Sequence, residues 1–459
     1  MVSNNPQLAR LKSNVDTTKN TFIITPESYQ QQFSGIYRQR LQALWPRLVE
    51  AARSKWIEFD EGIEIMEKIS SVSDICERVV LIGTVFLEQK LKPSILEEVS
   101  KSQWEKETPL PEKYWSEEDL VWLEDETGRI NVISDPKGKI PVLITGMVVS
   151  VLGSSTKDGR FVVEDVEYAG MPVQSPVLDV SKDRQKHGKS EYVAIVSGFG
   201  VTGDSGVSRN MQLLADFLGG LLGGEEMREL SSKIGSLIVA GNSIDGRGVY
   251  GGKINEKMGK LGLRNTNDNV LGREVVVEKR SYVELDNYLS QIAGILPVIL
   301  MPGDTDPVSQ SLPQQTFPVD ILLPKSGSLG SLIGTSNPTW LEIDKLRFLG
   351  TSGQNIRDME KCVRDIPALD LCEATLKSRH LAPTGPDTLA MYPSSRGDAM
   401  LLDRAPDVYF VGNMESFGRR RVSGGGGEVE VVMVPEFKSS GEVVLVDTFT
   451  LRTESVKFC

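Results

Sequence analysis

The sequence predicts two folded parts, a small antiparallel β-barrel followed by a layered α/β domain. The chain has 459 residues, which is more than one hydrophobic core usually serves. Its 43 glycines and 23 prolines indicate many turns and therefore much β-structure. Along the chain, consecutive strand patterns give way to strands that alternate with helical patterns. The barrel is therefore expected first and the α/β domain after it.

The first 74 residues are predicted to contain a helix and little other structure. Residues 1–24 are polar and irregular, so we expect a disordered tail there. Residues 25–74 are the predicted helical segment, because Thr25, Pro26 and Glu27 have the order of an N-cap, a first helical position and an acidic first turn. Apolar residues then recur at helical spacing, at Phe33, Tyr37, Leu41, Leu44 and Leu48.

Residues 75–180 are predicted to form the barrel. Its strands are expected in four stretches rich in β-branched residues, 77–89, 121–133, 141–155 and 159–170. With an insertion at about 92–118, these stretches fit a five-stranded Greek-key barrel of the oligonucleotide-binding (OB) type. Residues 121–170 hold five Lys or Arg against eight Asp or Glu. A structural or protein-docking barrel is therefore favoured over one that binds a nucleic acid strand.

Residues 181–191 are predicted to be a polar linker, and residues 192–459 the α/β domain. His187 lies in the linker, where a solvated loop histidine is favoured over a ligand. The strand and helix patterns that follow are typical of a mostly parallel sheet covered on both faces. They occupy residues 192–200, 210–222, 236–245, 281–295 and 296–306.

Composition and charge exclude several classes of function. The net charge of −12 argues against a nucleic-acid-binding surface over the chain as a whole, because such surfaces need excess Lys and Arg. No apolar run approaches the ~18 residues of a membrane span, and the first residues are too polar for a secretory signal, which indicates a cytosolic or nuclear protein. The four cysteines form no C-x-x-C pair, so no zinc knuckle is expected.

Polar residues follow the predicted strands of the second domain, at the edge where open α/β sheets gather their ligands. Two-metal phosphoesterases place carboxylates and histidines at such positions. The residues that this chain has there are Ser197 and Phe199, then Asn242 and Asp245, then Asp304, Thr305 and Asp306, and finally Asn413, with His380 as the candidate for a lone histidine.

This set of side chains is short of metal ligands. Two divalent ions about 3.5–4 Å apart need a bridging carboxylate between them, and Asn242 is neutral. Phe199 and Thr305 stand where imidazoles are expected, and the chain has two histidines in all. The aspartates and Asn242 could still bind one Mg²⁺ or Ca²⁺ through oxygen, or they could cap turns. We therefore predict a vestigial pocket, with no catalytic residues, no bound metal and no cofactor.

Several stretches resemble the second, or B, subunits of the replicative DNA polymerases, and within that family the delta branch. The resemblance covers about residues 25–437 and rests on motifs that occur in the same order. In the second domain these are MPGDTDP (301–307), LPQQ (312–315), LRFLGTSGQNIRD (346–358), RHLAPTGPDTLAMYP (379–393) and DVYFVGNMESFG (407–418). Earlier in the chain they are YQQQFSGIYRQRL (29–41), KPSILEEVS (92–100), LEDETGRI (123–130) and DGRFVVEDVEYAG (158–170).

The resemblance implies an OB-type barrel joined to a calcineurin-like phosphoesterase domain with a two-layered-sheet α/β fold. That domain is an active nuclease in archaeal relatives and has lost its metal ligands in eukaryotic subunits. It also implies a non-catalytic scaffold that acts in the nucleus, in DNA replication and repair, within a hetero-oligomer. The expected partners are the catalytic subunit, through its cysteine-rich C-terminal region, and a third accessory subunit, with the sliding clamp and DNA contacted indirectly. A metal-dependent phosphoesterase or 3′ nuclease with degenerate ligands is the alternative.

Two surface stretches are candidates for partner contacts. The acidic run 116–126 could meet a basic partner or form a solvated strand edge; its candidate residues are Glu117, Glu118, Asp119 and Trp122. A basic run precedes four consecutive glycines at 424–427, and it consists of Arg419, Arg420 and Arg421. This second stretch is predicted to be a mobile hairpin tip, and a nuclear-import element or a contact to the DNA backbone are the other interpretations.

Overall fold

The computed structural model of the chain describes residues 10, 12–24, 33–72, 78–93, 111–134, 141–174, 192–203, 208–245, 279–393 and 397–458. A β-barrel and a pair of facing β-sheets account for most of them. Three features predicted from the sequence lie outside the described residues. They are the N-cap at Thr25, the linker with His187, and most of the insertion at 92–118.

The described residues form eighteen strands and nine α-helices, numbered here in chain order. The strands are β1 (Val15–Asp16), β2 (Glu64–Ile65), β3 (Arg78–Glu88), β4 (Leu120–Glu124), β5 (Arg129–Ser134), β6 (Val148–Ser155), β7 (Arg160–Glu167), β8 (Tyr192–Val196), β9 (Ile234–Ala240), β10 (Val298–Met301), β11 (Leu332–Gly334), β12 (Thr339–Ile343), β13 (Leu346–Thr351), β14 (Val408–Met414), β15 (Gly418–Gly424), β16 (Gly427–Pro435), β17 (Glu442–Asp447) and β18 (Thr453–Lys457). The helices are α1 (Ser34–Ala52), α2 (Arg209–Leu218), α3 (Glu225–Ser232), α4 (Lys279–Ala293), α5 (Val319–Leu322), α6 (Pro324–Gly327), α7 (Gln354–Cys362), α8 (Ala368–Lys377) and α9 (Phe437–Ser440).

The barrel consists of β3 to β7. β3 pairs antiparallel with both β4 and β6, β4 pairs with β5, and β6 pairs with β7, while β5 and β7 pair in parallel. β3 is apolar along most of its length because both of its faces are covered: Leu81 and Val85 belong to the barrel core, whereas Val80 and Ile82 contact α1. The predicted five-stranded barrel is confirmed, and its strands lie in the four predicted stretches or begin and end at their borders.

Helix α1 packs on the outside of the barrel. Its residues Leu41, Leu44 and Leu48 are buried in one cluster with Val80 and Ile82 of β3. Their spacing places them on one face of the helix, as the sequence predicts. Phe33 precedes the helix and is about half exposed, so it does not extend this apolar face.

Two six-stranded sheets face each other in the second part of the chain. One has the strand order β1-β12-β13-β14-β16-β15, and the other β11-β10-β9-β8-β17-β18. β13, β14 and β16 are parallel in the first sheet, and β8 to β11 are parallel in the second. Apolar side chains of both sheets, such as Ile238 and Phe348, fill the space between them. The inner face of each sheet is therefore covered by the other sheet, in agreement with the predicted two-layered-sheet domain.

Helices cover the outer faces of the two sheets. Phe217 of α2 and Leu289 of α4 belong to the apolar cluster on the second sheet. On the first sheet, Met359 of α7 and Leu376 of α8 belong to a cluster that also contains Phe161 of the barrel. The barrel and the first sheet thus share one continuous apolar core.

An N-terminal strap, residues 12–24, is bound along the two sheets. β1 pairs antiparallel with β12 at the edge of the first sheet, and the Ser13 amide donates to the Gly235 carbonyl of β9 (3.1 Å). Asn20 Nδ2 donates to Ser336 Oγ (2.8 Å), and Phe22 is 1% exposed. The prediction of a disordered tail is therefore wrong for these residues. Their polar groups are bonded to distant loops, which the local composition does not reveal.

No helix among the described ranges of the chain is both long enough and apolar enough to cross a membrane.

Candidate functional site at the strand ends

Five loops meet where the parallel strands of the two sheets end. The residues that follow β8, β9, β10, β13 and β14 or lie at their ends are Ser197, Asn242, residues 303–306, Ser352 and Asn413. Asn413 joins loops of both sheets, because its Nδ2 donates to the carbonyls of Ala240 (3.1 Å) and Ser352 (2.9 Å). Most of the residues predicted to form a vestigial pocket are therefore brought together at this edge.

Ser197 bonds to the backbone of two other strands. Its Oγ accepts from the Asn413 amide (2.8 Å) and lies 3.2 and 3.1 Å from the carbonyl oxygens of Val434 and Pro435. A hydroxyl has one proton to donate and can accept as well, so these three contacts use its hydrogen-bonding capacity. Ser197 therefore links β8 to β14 and β16.

Asn242 and Thr305 hold the loops after β9 and β10 together. Asn242 Oδ1 accepts from the Thr305 amide (3.2 Å), and Thr305 Oγ1 donates to the Ile244 carbonyl (2.5 Å). The two loops approach so closely that a Cβ added to Gly303 would lie 2.3 Å from Asn242 Oδ1. Only glycine fits at this position. Both predicted pocket residues thus serve a loop-to-loop contact.

Asp306 is fully buried and is held by backbone amides. Its Oδ1 accepts from the Ile244 amide (2.9 Å) and its Oδ2 from the Gly303 amide (2.8 Å). Burial raises the pKa of Asp306 to about 7, against the opposite effect of the amide hydrogen bonds. The carboxyl group is therefore a structural acceptor that crosses from the β10 loop to the β9 loop.

Asp245 and Asp304 are the predicted carboxylates that lie nearer to solvent. Asp245 Oδ2 is 3.1 Å from Lys438 Nζ of α9, and its side chain is 26% exposed. Asp304 is partly buried, and its backbone carbonyl accepts from Gln310 Nε2 (3.0 Å). An ammonium partner at Asp245 supplies the positive charge that a divalent ion would otherwise provide.

Phe199 turns away from this edge into the core. Its ring lies edge-on to Tyr288 (5.4 Å between centroids) and to Phe437 (5.7 Å). Such aromatic pairs stabilise the outer apolar cluster of the second sheet. The position that would carry an imidazole ligand is thus part of the hydrophobic core.

His380 belongs to a different buried network, and its assignment to the strand-end pocket is wrong. Its Nδ1 accepts from the Ala382 amide (3.2 Å), so Nε2 carries the proton and donates to Asp398 Oδ2 (2.7 Å). Asp398 also pairs with Arg40 of α1 (2.7 Å). The sequence motif that contains His380 follows α8 instead of a sheet strand, which explains the misplacement.

The strand-end position on β13 is occupied by Ser352 and its amide neighbours, which the sequence does not identify as site residues. Asn337 Nδ2 lies 2.8 Å from Ser352 Oγ, 2.8 Å from Gln314 Oε1 and 2.6 Å from Gln354 Oε1. Gln314 Nε2 continues the network to the Gly303 carbonyl (3.1 Å). These residues lie in or near the motifs LPQQ and LRFLGTSGQNIRD, but nothing in the spacing of the motifs indicates that they meet.

Over the part of the chain that the structure describes, no group of three or more His, Cys, Asp and Glu side chains is placed to hold a metal ion. The amides and hydroxyls at the strand ends are neutral oxygen and nitrogen groups bonded mainly to backbone. Their hydrogen bonds link the two sheets, so the geometry supports a structural role for these residues.

The acidic run 116–126 lies where the barrel meets α7. Asp119 Oδ2 accepts from the Ser116 amide (2.9 Å) and from Gln89 Nε2 (3.0 Å), and Gln89 also donates to the Cys362 carbonyl at the end of α7 (3.0 Å). Asp119 therefore bonds the run to Gln89, and Gln89 in turn bonds to the second domain.

The other candidate residues of the acidic run differ in exposure. Trp122 is stacked by Arg129, whose Cζ is 4.6 Å from the ring centre. Glu117 and Glu118 are mostly exposed, at 81% and 69%, and their ion pairs are made with lysine and arginine side chains that are themselves exposed. These two carboxylates are therefore accessible to a partner.

The arginines at 419–421 lie on β15, an edge strand of the first sheet. Arg420 pairs with Asp370 (2.5 Å) and Glu373 of α8 (3.0 Å), Arg421 pairs with Glu430 (3.2 Å), and Arg419 is exposed. The turn that follows is not a mobile tip. The Gln174 amide donates to the Gly425 carbonyl (3.2 Å), so the hairpin packs against the segment that leaves the barrel.

Comparison with known families gives this architecture a class. The family model for the OB-fold domain of the DNA polymerase delta subunit matches residues 32–166, and the family model for the B subunits of DNA polymerases alpha and epsilon matches residues 193–419. The first match covers α1 and the barrel, and the second covers most of the two sheets. The fold and its strand-end loops thus define a DNA polymerase accessory subunit of the B type.

Curated relatives narrow this class. The DNA polymerase delta small subunit of Arabidopsis thaliana is 33% identical over 98% of this chain and 96% of its own length. DNA polymerase delta subunit 2 of Drosophila melanogaster is 31% identical over 98% of each chain. The chain belongs to the family of the DNA polymerase delta small subunits. A solved archaeal phosphodiesterase aligns over 58% of this chain and 99% of its own chain at 10% identity, with a TM-score of 0.30.

Proposed function

We propose that this chain is a non-catalytic accessory subunit of a DNA polymerase delta holoenzyme, and that its two-sheet part is a calcineurin-like phosphoesterase domain without a working metal site. The observation that supports this most directly is Asp306, whose two carboxylate oxygens each accept a backbone amide. A divalent ion needs carboxylate oxygens that face it, and a metal pair needs one that bridges. Asn242 is neutral at the bridging position.

We propose that the chain is divided into four segments after residue 24. The helical segment is 25–74, the barrel 75–180, the linker 181–191 and the phosphoesterase-like domain 192–459. The chain joins the catalytic subunit, through that subunit's cysteine-rich C-terminal region, to a third accessory subunit. Contacts with the sliding clamp and DNA are indirect, and the assembly acts in the nucleus in replication and repair. The family membership and the linking role of the strand-end residues support this scaffold function.

Co-expression tests the scaffold function. The full chain is produced with the C-terminal region of the catalytic subunit and passed through size exclusion. Permanent complexes commonly bury about 2,000 Å² or more, so we expect one peak that contains both polypeptides at equal amounts. Separate elution of the two polypeptides would contradict the proposal.

Charge reversal tests the proposed acidic contact surface. Glu117 and Glu118 are exposed carboxylates of the acidic run, so the double change Glu117→Lys and Glu118→Lys should weaken a contact with a basic partner about tenfold or more. Glu58→Lys with Glu61→Lys, at two exposed sites beyond α1, is the control with the same change in net charge. Calorimetric titration with the basic partner at two salt concentrations measures the affinity of each variant. Equal affinities for the Glu117 and Glu118 double variant and for the control would remove this surface from the proposal.

A nuclease assay tests the lack of catalysis. The purified chain is incubated with Mn²⁺ and labelled single-stranded DNA, and we expect no cleavage above a buffer control. Cleavage that disappears in the Asp304→Ala variant would overturn the proposal in favour of a degenerate phosphoesterase or 3′ nuclease. Cleavage that persists in that variant would indicate a contaminating nuclease.

A further inference from the structure

We infer that Arg40, Asp398 and Gly146 form an interdomain lock, which fixes the orientation of the barrel relative to the two-sheet domain. Arg40 lies on α1, Gly146 lies in the barrel just before β6, and Asp398 belongs to the two-sheet domain. The lock is therefore built from three separate parts of the chain, and its effect on orientation is independent of any partner.

Arg40 is completely buried, and its guanidinium bonds are divided among these parts. Nε donates to Asp398 Oδ2 (2.7 Å), and Nη1 donates to the carbonyls of Gly146 (2.9 Å) and Pro383 (2.9 Å). Nη2 donates to the Gly385 carbonyl (2.8 Å). The planar guanidinium directs these bonds along fixed angles. Each acceptor is thus held in one direction relative to α1.

Asp398 is a buried carboxylate that stays charged because it is paired. Burial would raise the pKa of Asp398, but His380 and Arg40 hold it well below its ordinary value. The carboxylate is thus charged and paired inside the protein. Its second oxygen accepts from the Met400 amide (2.9 Å). A buried charge that has all of its partners in place tolerates little displacement, because a shift leaves it unpaired.

Gly146 lies at a close approach of the two domains. A Cβ added there would lie 2.0 Å from the Pro383 carbonyl oxygen and 2.6 Å from Arg40 Nη1. Backbone of the barrel is thus in direct contact with backbone of the two-sheet domain. A methyl group at this position would act as a wedge.

Other directional bonds cross the interface but are only partly buried: Arg379 donates to the carbonyls of Gly170 (2.7 Å) and Met171 (2.9 Å), and Gln89 donates to that of Cys362 (3.0 Å). Its apolar core is continuous between the barrel and the first sheet, and apolar contacts are non-directional. Its other ion pair that joins the barrel side to residues 380–400, Lys92 with Asp387, is partly exposed. The fully buried, directional bonds are those of Arg40. The lock therefore sets orientation, whereas the apolar core supplies adhesion.

Distance measurements between spin labels test the lock in the full chain. Labels are attached at Lys157→Cys in the β6–β7 turn and at Glu454→Cys on β18, both exposed positions, after Cys76 and Cys459 are replaced by serine. Cys362 and Cys372 are buried and should not react. We expect a narrow distance distribution in the otherwise wild-type chain. Arg40→Met should broaden it about twofold or shift its centre, because an interface that has lost its fully buried directional bonds lets the domains move relative to each other.

Matched variants separate the lock from general loss of stability. Arg40→Lys keeps the charge but can reach fewer acceptors, so it should give an intermediate width. Gly146→Ala introduces the wedge, and Gly330→Ala is its control, since Gly330 lies away from both labels and also has a positive φ (67°) but nothing within 4 Å of an added Cβ. Arg47→Met, at a largely exposed position on α1, controls for loss of an arginine.

We expect broadened or shifted distributions for Arg40→Met and Gly146→Ala, and unchanged ones for Arg47→Met and Gly330→Ala. If Arg40→Met does not fold, Arg40→Lys and the glycine pair decide. A wild-type distribution in the folded Arg40 variant, or the same distribution in both glycine variants, would overturn the inference.

Discussion

Asparagine at the ends of β9 and β14 combines a backbone conformation with a side-chain contact. Asn242 and Asn413 have φ values of 56° and 54°, in the left-handed region. Asparagine enters this region more readily than most residues, because its short polar side chain bonds nearby backbone. Both side chains then bond to neighbouring loops. Neutral amides at these two positions therefore shape the loops and join them.

His380 makes the free energy of unfolding depend on pH. Burial, and then the charge of Arg40, lower the pKa of His380, although Asp398 opposes this. The folded protein therefore holds a neutral imidazole, whereas the unfolded chain takes up a proton near pH 6.5. Stability is present above that pH and is lost as the pH falls. We expect this group to remove up to about 1.4 kcal/mol of unfolding free energy per pH unit below 6.5.

Urea denaturation at several pH values checks this expectation. His380→Gln can still accept from the Ala382 amide and donate to Asp398, but it does not titrate. Its unfolding free energy should therefore decrease less than that of the wild type between about pH 7.5 and pH 5.5. Parallel pH profiles for the two proteins would show that His380 is not responsible.

At the scale of single elements, the β15–β16 hairpin has a glycine turn whose conformation is fixed by contact with a neighbouring segment. Gly425 and Gly426 have φ values of 58° and 81°, which suits a tight two-residue turn. The four-glycine run therefore predicts a turn correctly. It does not predict that the turn is in contact with Pro172 and Gln174. That contact fixes the conformation of a glycine-rich turn that would otherwise be flexible.

Two alanine substitutions in this turn should differ in their cost. Both place a Cβ on a residue with positive φ, which costs about 1–2 kcal/mol. Only at Gly425 would the Cβ also meet protein, 2.2 Å from the Pro172 carbonyl oxygen, whereas nothing lies within 4 Å at Gly426. Overpacking adds about 1–3 kcal/mol. Chemical denaturation should show the larger loss for Gly425→Ala, and equal losses would argue against a packed hairpin.

At the scale of the whole molecule, the N-terminal strap joins the two sheets to each other, and the shared apolar core joins the barrel to the first sheet. The strap crosses from the second sheet to the edge strand of the first and ends beside the loops at 315 and 335–340. An uncovered sheet edge is open to pairing with other chains. The strap occupies part of the β12 edge and thereby protects it.

Phe22 and Ile23 provide an adjacent pair for testing the strap. Phe22 is 1% exposed and lies in the core cluster, whereas Ile23 is 60% exposed. Phe22→Ala should lower the free energy of unfolding by about 3–5 kcal/mol, as expected for a buried aromatic. Ile23→Ala should change it by less than about 0.5 kcal/mol. Thermal unfolding measures both, and similar small effects would mean that the strap detaches in solution.

The sequence by itself determined many of the longer elements and their order. Alternating and continuous apolar patterns located β3 to β10, the spacing of Leu41, Leu44 and Leu48 located α1, and the motifs indicated the family. These features depend on residues close together in the chain, where backbone geometry sets the period. The shortage of metal ligands was also readable, because residue types at the strand ends appear directly in the sequence.

Only the tertiary structure decided which polar groups meet. His380 lies in a network with Arg40, 340 positions earlier in the chain, and not in the strand-end pocket. Gln314, Asn337 and Ser352 lie at the strand ends instead. The tertiary structure also bound the strap to distant loops. Hydrogen bonds of this kind are short-ranged and directional, so they depend on how sheets and barrel pack in three dimensions, and local composition carries no signal of them.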